Sequence, residues 1–391
     1  MTSRTRLWVL VISTPVIAFA LIGGMLGRVI ARDETYQHLR IFQDVVSLVV
    51  DNYVEEVDVK EAMRGAMRGL ADGLDPDSAF LTPELVKSYE TNAPMGAADI
   101  GLDISRQYYL RVVSVRPNSP AAKAGIRTGD YLRGIDNRPT REMTAYEGSR
   151  LLHGSENSRV KLLVIRGNAA DPHEVTLTRE RPTALEVTTR MADANTGYIR
   201  ILDFRKDSGT RLRQAAETLA KQGATDYVID LRGASIGDID DGVTAARTFV
   251  KSGTLVYIQS KQQKETVSAQ AGDGAIAARA VLLVNQGTAG AAEAFAAALE
   301  GTNRAELIGE RTQGRAARQR LVKLPDGSGL VITTQRYLTA KNADIHEKGL
   351  APDVPVDEPD VEFGTDPPAG DNMLDRALQV LGQPQQQRPA A

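Results

Sequence analysis

The stretch that most constrains the fold is VLLVNQGTAGAAEAFAAA, which spans residues 281–298. It opens with four consecutive apolar residues, a run typical of a buried strand, and it ends in an alanine-rich run that starts at Glu293 and favours a helix. The glycines and small residues between the two runs predict a tight turn. A buried strand that turns directly into a helix is typical of α/β proteins, and such a turn often holds a nucleophile or an anion. This turn, however, contains no Ser, Cys or Lys.

The same alternation of strand and helix patterns extends over residues 186–357. TGYIRILDF and DYVIDLRGAS have the composition of strands, and GTRLRQAAETLAKQG between them has the spacing of an amphipathic helix. Strands that alternate with helices along the chain predict an α/β core for this segment.

Two other kinds of pattern precede this core, so the 391 residues are expected to form several domains. Residues 36–95 are predicted to be a helical domain, because apolar residues recur at spacings of three and four in IFQDVVSLVVDNYV and again in VKEAMRGAMRGLADGL. Residues 97–182 instead contain short strand patterns separated by turn formers, which predict a small β-domain.

The two ends of the chain differ from the middle. Arg4 and Arg6 precede an apolar run at residues 7–26, which at about 20 residues is long enough to span a bilayer. Cations ahead of such a run favour export of the chain after it. We expect residues 1–32 to be a signal-anchor, giving a single-pass inner-membrane protein with its bulk in the periplasm; a cleaved signal peptide and secretion are the alternative. Residues 358–391 are expected to form a short helix, MLDRALQVL, and a disordered tail.

Charge and cysteine content exclude some kinds of site and partner. The chain has 47 Lys and Arg against 50 Asp and Glu, a formal charge of −3, so its charge does not favour nucleic acid as a partner. It has no cysteine, which excludes disulfides and thiolate metal ligands. Because the four histidines are scattered without ligand spacing, we predict neither a metal site nor a cofactor. They are His38, His153, His173 and His346.

The β-domain contains a recognisable motif. PNSPAAKAGIRTGDYLRGIDNRPT, with DIGLDIS upstream, resembles a PDZ domain. In that family an extended peptide pairs with a strand edge, while backbone N–H groups of a glycine-containing loop hold its terminal carboxylate. The resemblance implies that protein C-termini or unfolded peptide segments are partners. It assigns peptide binding to five consecutive residues, namely Ile100, Gly101, Leu102, Asp103 and Ile104.

Several further motifs resemble one family when they are taken in order. DGLDPDSAFL, the PDZ segment, GYIRI, DLR, GTAGAAE, GERTQGR, LPDGSGL and KGLAPDV succeed one another between residues 42 and 354, as they do in the carboxyl-terminal-processing (tail-specific) proteases of family S41. The resemblance implies a ClpP/crotonase-like α/β protease core with an inserted PDZ β-domain and an N-terminal helical segment. It also implies a Ser–Lys mechanism, in which a serine attacks the peptide carbonyl and a neutral lysine takes up its proton.

The sequence departs from this family at both reacting positions. Gly290 aligns with the serine, and Arg315, 25 residues later, aligns with the lysine; Gln319, four residues further, aligns with a glutamine that positions the lysine. Glycine has no side chain that could attack, and arginine stays protonated and cannot act as a base. The family's oxyanion region corresponds to Gly237 and Ala291, but its DLRNNPGG motif is here DLRGASIG, with only the last glycine kept.

Three functions remain open at this point. The first is a proteolytically inactive homologue that binds protein C-termini as an envelope scaffold or regulator, with an active protease relative among its candidate partners. The second is an active serine-type peptidase with non-standard residues, for which Thr288 and Ser235 are the candidates. The third is a structural envelope protein whose PDZ groove is closed. Since the helical domain resembles the part that dimerises in some relatives, a homodimer is a further candidate.

Overall fold

The structure is a computed structural model that describes residues 36–167, 172–359, 361–365 and 369–383. The predicted signal-anchor and the predicted disordered tail lie outside these residues. Within the described ranges, no helix is long and apolar enough to cross a membrane. The chain divides into two compact units, residues 1–69 and residues 70–391, which are described separately.

The first unit contains the beginning of the predicted helical domain. Helix α1 covers residues 36–52, and helix α2 (Val59–Asp72) starts here and ends just inside the second unit. Both helices agree with the three-and-four spacing of their apolar residues.

The second unit opens with an element that the helical pattern did not predict. Strand β1 (Ala79–Leu81) precedes helix α3 (Pro83–Glu90), whose N-cap is Thr82. Residues 79–81 pair with residues 329–331, about 250 positions later in the chain. Because this strand depends on so distant a partner, local periodicity gave no signal for it.

The β-domain is an antiparallel sheet with two short helices against it. Its elements are β2 (Leu102–Gln107), β3 (Tyr109–Val115), α4 (Pro120–Lys123), β4 (Tyr131–Ile135), β5 (Arg138–Pro139), α5 (Ala145–Leu152), β6 (Arg159–Ile165) and β7 (His173–Thr178). The strand order is β2-β3-β4-β6-β7, which leaves β2 at an edge. Buried aliphatic side chains from β2, β3, β4 and β6 form a core of its own for this domain.

The α/β core contains the remaining elements. They are β8 (Thr188–Met191), β9 (Thr196–Arg200), β10 (Asp203–Phe204), α6 (Ser208–Ala220), β11 (Asp226–Asp230), β12 (Ile236–Gly237), α7 (Ile239–Ala246), β13 (Thr254–Ser260), β14 (Lys264–Ser268), β15 (Arg279–Val284), α8 (Ala291–Gly301), β16 (Ala305–Gly309), β17 (Ala317–Lys323), β18 (Gly329–Thr339), β19 (Val354–Pro355) and α9 (Asn372–Gly382).

Two sheets enclose a layer of helices in this core. One has the order β19-β16-β15-β11-β9-β8 and is parallel except for β8; the other is antiparallel and contains β1, β18, β13 and β14, with β17 also paired to β18. Helix α8 contacts β16 of the first sheet and β13 and β18 of the second. Residues 291–299 of α8 are all buried, which explains why, apart from Glu293, they are all apolar. The start of α8 is therefore held firmly from both sides.

The C-terminal segment returns to the β-domain before it forms α9. Val361 is buried, and its carbonyl oxygen accepts a hydrogen bond from Arg166 Nη1 at 3.2 Å. The Phe363 ring stacks on His173 with ring centroids 4.5 Å apart, and the guanidinium of Arg166 lies 5.0 Å from the centre of the same ring. Residues 361–365, which we call the strap, thus bind to the β-domain. Helix α9 then packs on the outer face of the parallel sheet.

Candidate functional site

The turn after β15 is fixed by hydrogen bonds. Thr288 is fully buried; its Oγ1 donates to the Leu231 carbonyl at 2.9 Å and accepts from the Asn285 N–H at 3.1 Å. Asn285 Oδ1 accepts from the N–H groups of Gly287 and Gly233 at 3.0 and 3.1 Å. The Thr288 hydroxyl therefore stabilises the turn and is already engaged by the backbone.

Gly290 ends this turn in a conformation that favours glycine. Its φ is +57° and its ψ is −110°, a region that L-residues rarely adopt. A Cβ added to Gly290 would meet nothing closer than the Arg315 carbonyl oxygen at 3.9 Å. There is consequently room for a side chain at this position, although a non-glycine residue would carry backbone strain.

Glu293, in the first turn of α8, joins the two loops of the site. Its buried carboxylate accepts four hydrogen bonds, from the N–H groups of Gly290, Gly314 and Arg315 and from the hydroxyl of Thr312. Burial raises the pKa of Glu293, and these four donors oppose that rise. The bond from Gly290 N–H caps the start of α8, and the same carboxylate also fixes the backbone of Arg315.

Arg315 lies between two carboxylates. Its Nε is 3.0 Å from Asp77 Oδ1, and its Nη1 is 3.4 Å from Asp103 Oδ2. Burial alone would lower the pKa of Arg315, but the charges of Asp77 and Asp103 outweigh it and raise the pKa above its ordinary value. The guanidinium is therefore a permanent cation and cannot take up a proton.

A cavity of about 400 Å³ brings most of the predicted site residues together. Gly290, Arg315, Gln319 and Gly237 all line it, while Ala291 is the first residue of α8 beside it. The carboxamide of Gln319 donates from Nε2 to Thr333 Oγ1 at 3.2 Å. The cavity thus collects residues from the turn after β15, from β12 and from β17.

Ser235 also lines this cavity, and its hydroxyl has a partner. Ser235 Oγ lies 2.6 Å from Ser114 Oγ, which belongs to β3 of the β-domain. A neutral hydroxyl is not a base that could remove the proton of Ser235. Sequence reasoning did not identify Ser114 as part of this site.

The predicted peptide-binding residues surround the start of β2. Gly101 has a φ of +83°, and a Cβ there would approach Ser119 Cβ to 2.2 Å, so the loop requires glycine. Ile100 and Ile104 are buried in the core of the domain, whereas Asp103 faces Arg315. The prediction thus grouped residues that have different surroundings.

Asp77 is the main site residue that sequence reasoning missed. It contributes a nearly buried carboxylate, 9% exposed, to Arg315 from the loop that precedes β1. The signal was available, because Asp77 lies in the motif DGLDPDSAFL. That motif was used only to support the resemblance and not to search for a partner of Arg315.

Comparisons with known proteins agree with this architecture. Residues 195–356 match Peptidase family S41, and residues 111–166 match the PDZ domain family. The carboxyl-terminal-processing protease of Synechocystis sp. is 30% identical over 358 residues, which cover 89% of this chain and 83% of that protein. The chain belongs to the S41 family of carboxyl-terminal-processing proteases.

Two further relatives support this membership. The solved structure of a photosystem II D1 C-terminal processing protease superimposes with a TM-score of 0.68 at 30% identity, covering 81% of this chain and 92% of that one. The predicted S41 protease fold, with a PDZ domain and N-terminal helices, is therefore confirmed. The chloroplastic carboxyl-terminal-processing peptidase 2 of Arabidopsis thaliana is 33% identical over 320 residues, or 77% of this chain. The chain spans 62% of the length of that plant relative.

Proposed function

We propose that this chain is a proteolytically inactive member of the S41 family that binds protein C-termini through its PDZ domain. In this function it serves as a scaffold or regulator in the envelope, where the predicted signal-anchor would hold it. The proposal rests on two positions taken together: Gly290 stands where the family has its serine, and Arg315, at the lysine position, is ion-paired to two carboxylates.

Peptide hydrolysis by this family's chemistry needs a nucleophile and a base at those two positions. An S41-type serine is activated only when a neutral amine nearby accepts its proton. Gly290 offers no hydroxyl, and the raised pKa of Arg315 keeps its guanidinium protonated. Both parts of the mechanism are therefore missing from the cavity.

The two candidate replacement nucleophiles are engaged elsewhere. The Thr288 hydroxyl donates to a backbone carbonyl and is inaccessible to a peptide. Ser235 lies in the cavity, but its Oγ is bonded to Ser114. An active peptidase with non-standard residues would have to use Ser235 with a base that approaches it after Ser114 moves away.

The PDZ domain supports the binding part of the proposal. Its family match implies a module that binds peptide C-termini. Strand β2 is at the edge of its sheet, where an extended peptide can add as a further strand. Partners are therefore expected to be protein C-termini or unfolded segments, and an active protease of the same family is a candidate among them.

The decisive experiment compares the natural chain with the double variant Gly290→Ser/Arg315→Lys. We expect that a fluorophosphonate probe does not label the natural chain and that a peptide with a free C-terminus stays intact with it. The double variant tests whether the cavity can hold the missing chemistry, since space for a side chain exists at position 290. Labelling or trimming by the natural chain that is lost in Ser235→Ala would overturn the proposal.

Binding is measured separately, by fluorescence anisotropy with one labelled peptide in two forms. The form with a free C-terminal carboxylate should bind more tightly than the amidated form, because in PDZ domains backbone N–H groups of the loop that corresponds to Gly101 hold the terminal carboxylate. Equal affinity for the two forms would contradict recognition of C-termini.

A further inference from the structure

One hairpin of the PDZ domain, formed by β2 and β3, makes a series of polar contacts with the rest of the second unit. The contacts join Asp103 to Arg315, Arg111 to Gln286 and Gln313, Ser114 to Ser235, and Arg106 to Asp72. Two of these four groups of contacts reach the cavity that contains Gly290. The PDZ domain therefore lies directly against the former catalytic loops.

The helix beside β2 contacts the same side of the molecule. Tyr146 of α5 packs edge-on against Tyr89 of α3, with ring centroids 5.3 Å apart. Its side chain also packs on the apolar cluster that includes Leu81 and Val331. Strand β2 and helix α5 are neighbours, so a peptide that adds to the edge of β2 needs space where both elements already have partners.

In one of these contacts, a single cation, Arg315, lies between two carboxylates. Asp77 belongs to the loop before β1, and Asp103 belongs to the PDZ domain, so the guanidinium of Arg315 joins the two through opposite charges. Without that cation two carboxylates would face each other, and attraction would become repulsion. The contacts of Arg111 go to neutral carboxamides, so their loss has no such effect.

We propose that Arg315 is an ionic latch that holds the PDZ domain closed against the core, and that peptide binding by the PDZ domain requires this latch to open. This inference deepens the proposed function, since it rests on a PDZ domain that binds peptides, and it assigns a role to the residue at the former lysine position. Peptide binding and closure of the latch then compete. The apparent affinity for the peptide equals the intrinsic affinity multiplied by the fraction of open molecules.

The test uses the full chain with one label on each side of the latch. The chain has no cysteine, so Glu174→Cys in β7 and Lys221→Cys after α6, both exposed, introduce the only two thiols. Spin labels there report the distance between the PDZ domain and the core by double electron–electron resonance. Affinity is measured with a short fluorescent peptide that ends in Ala-Val-Val with a free carboxylate.

Three variants are compared in this background. Arg315→Gln removes the cation, and Asp103→Asn removes only the PDZ side of the latch and serves if Arg315→Gln fails to fold. Arg318→Gln is the matched control, because Arg318 lines the same cavity but pairs with Asp238 and Asp240 of the core. We expect Arg315→Gln to lengthen and broaden the distance distribution and to tighten peptide binding about tenfold. Asp103→Asn should act in the same direction, and Arg318→Gln should leave the distance unchanged.

The outcomes separate the latch from the proposed function. Longer distances in Arg315→Gln, with no peptide binding by any variant, would support the latch and refute the peptide receptor. Distances that stay unchanged in both Arg315→Gln and Asp103→Asn would overturn the latch, whatever the peptide affinity. If the natural chain binds the peptide, longer distances in Arg315→Gln without tighter binding would refute the competition between peptide binding and the closed latch.

Discussion

Glu293 offers a direct test of how the loops that contain Gly290 and Arg315 are held together. Its carboxylate accepts two hydrogen bonds on each oxygen: Oε2 from the N–H groups of Gly290 and Arg315, and Oε1 from Gly314 N–H and the Thr312 hydroxyl. In Glu293→Gln one oxygen becomes an NH2 group, which is a donor and cannot accept. Two of the four donors then lose their acceptor inside the protein.

The size of the effect can be worked out from that count. A buried donor left without an acceptor costs about 1–3 kcal/mol, so two of them should lower the free energy of unfolding by about 2–6 kcal/mol. This is a large part of the roughly 5–15 kcal/mol that stabilises a typical folded domain. The matched control is Glu300→Gln on the same helix, which removes a single ion pair with Lys341 and should cost about 0–1 kcal/mol.

Urea unfolding followed by circular dichroism is the appropriate assay. Residues 70–391 contain no tryptophan, so circular dichroism is used in place of tryptophan fluorescence. We expect the unfolding midpoint of Glu293→Gln to fall far below that of Glu300→Gln with an unchanged slope. A loss in Glu293→Gln no larger than in the control would refute the argument that this carboxylate holds the two loops.

Three further predictions concern other parts of the second unit. Burial alone would lower the pKa of His346, but the nearby Asp75 carboxylate outweighs burial and raises it. The stabilisation from this pair should therefore be complete below about pH 6.5 and be lost as the pH rises through the raised pKa. In His346→Gln, the pH dependence of the melting temperature should flatten. Phe363→Ala should remove the ring contacts of the strap with His173 and Arg166 and lower the free energy of unfolding by about 1–2 kcal/mol. Limited proteolysis should then cleave the segment around residue 363 faster than in the natural chain. Equal cleavage rates would contradict this. Gly101→Ala should destabilise the PDZ domain and weaken its binding of the free-carboxylate peptide, because Gly101 has a φ of +83° and Ser119 fills the space for a Cβ. Unchanged anisotropy titrations would show that the loop tolerates a side chain.

The local parts of this structure could be predicted from the sequence. The strand, turn and helix around residues 281–298 depend on neighbours within the stretch itself, and they form as β15, the turn at Gly290, and α8. The register between Gly290 and Arg315 was also accessible, because both lie in motifs with fixed spacing. The alignment of Gly290 and Arg315 with the family's serine and lysine remains a prediction that mutagenesis must test.

The parts that depend on distant residues could not be predicted in the same way. Arg315 and Asp77 are 238 residues apart in the chain, and no periodicity links them. The strap lies within residues 358–391, for which the sequence predicted only a short helix and a disordered tail. The ring of Phe363 nevertheless contacts both His173 and Arg166. Such contacts become apparent only once the fold brings the three residues together.

The strap adds a further attachment between the PDZ domain and the rest of the second unit. The chain enters that domain near residue 97 and leaves it near residue 182, and residues 361–365 bind it a third time. If the contact between Asp103 and Arg315 opens, these tethers keep the two groups at a high effective concentration, so that they meet again without a search through solution. The balance between open and closed molecules is then independent of how much of the protein the cell makes. It is set by the concentration of whatever peptide competes for the PDZ domain.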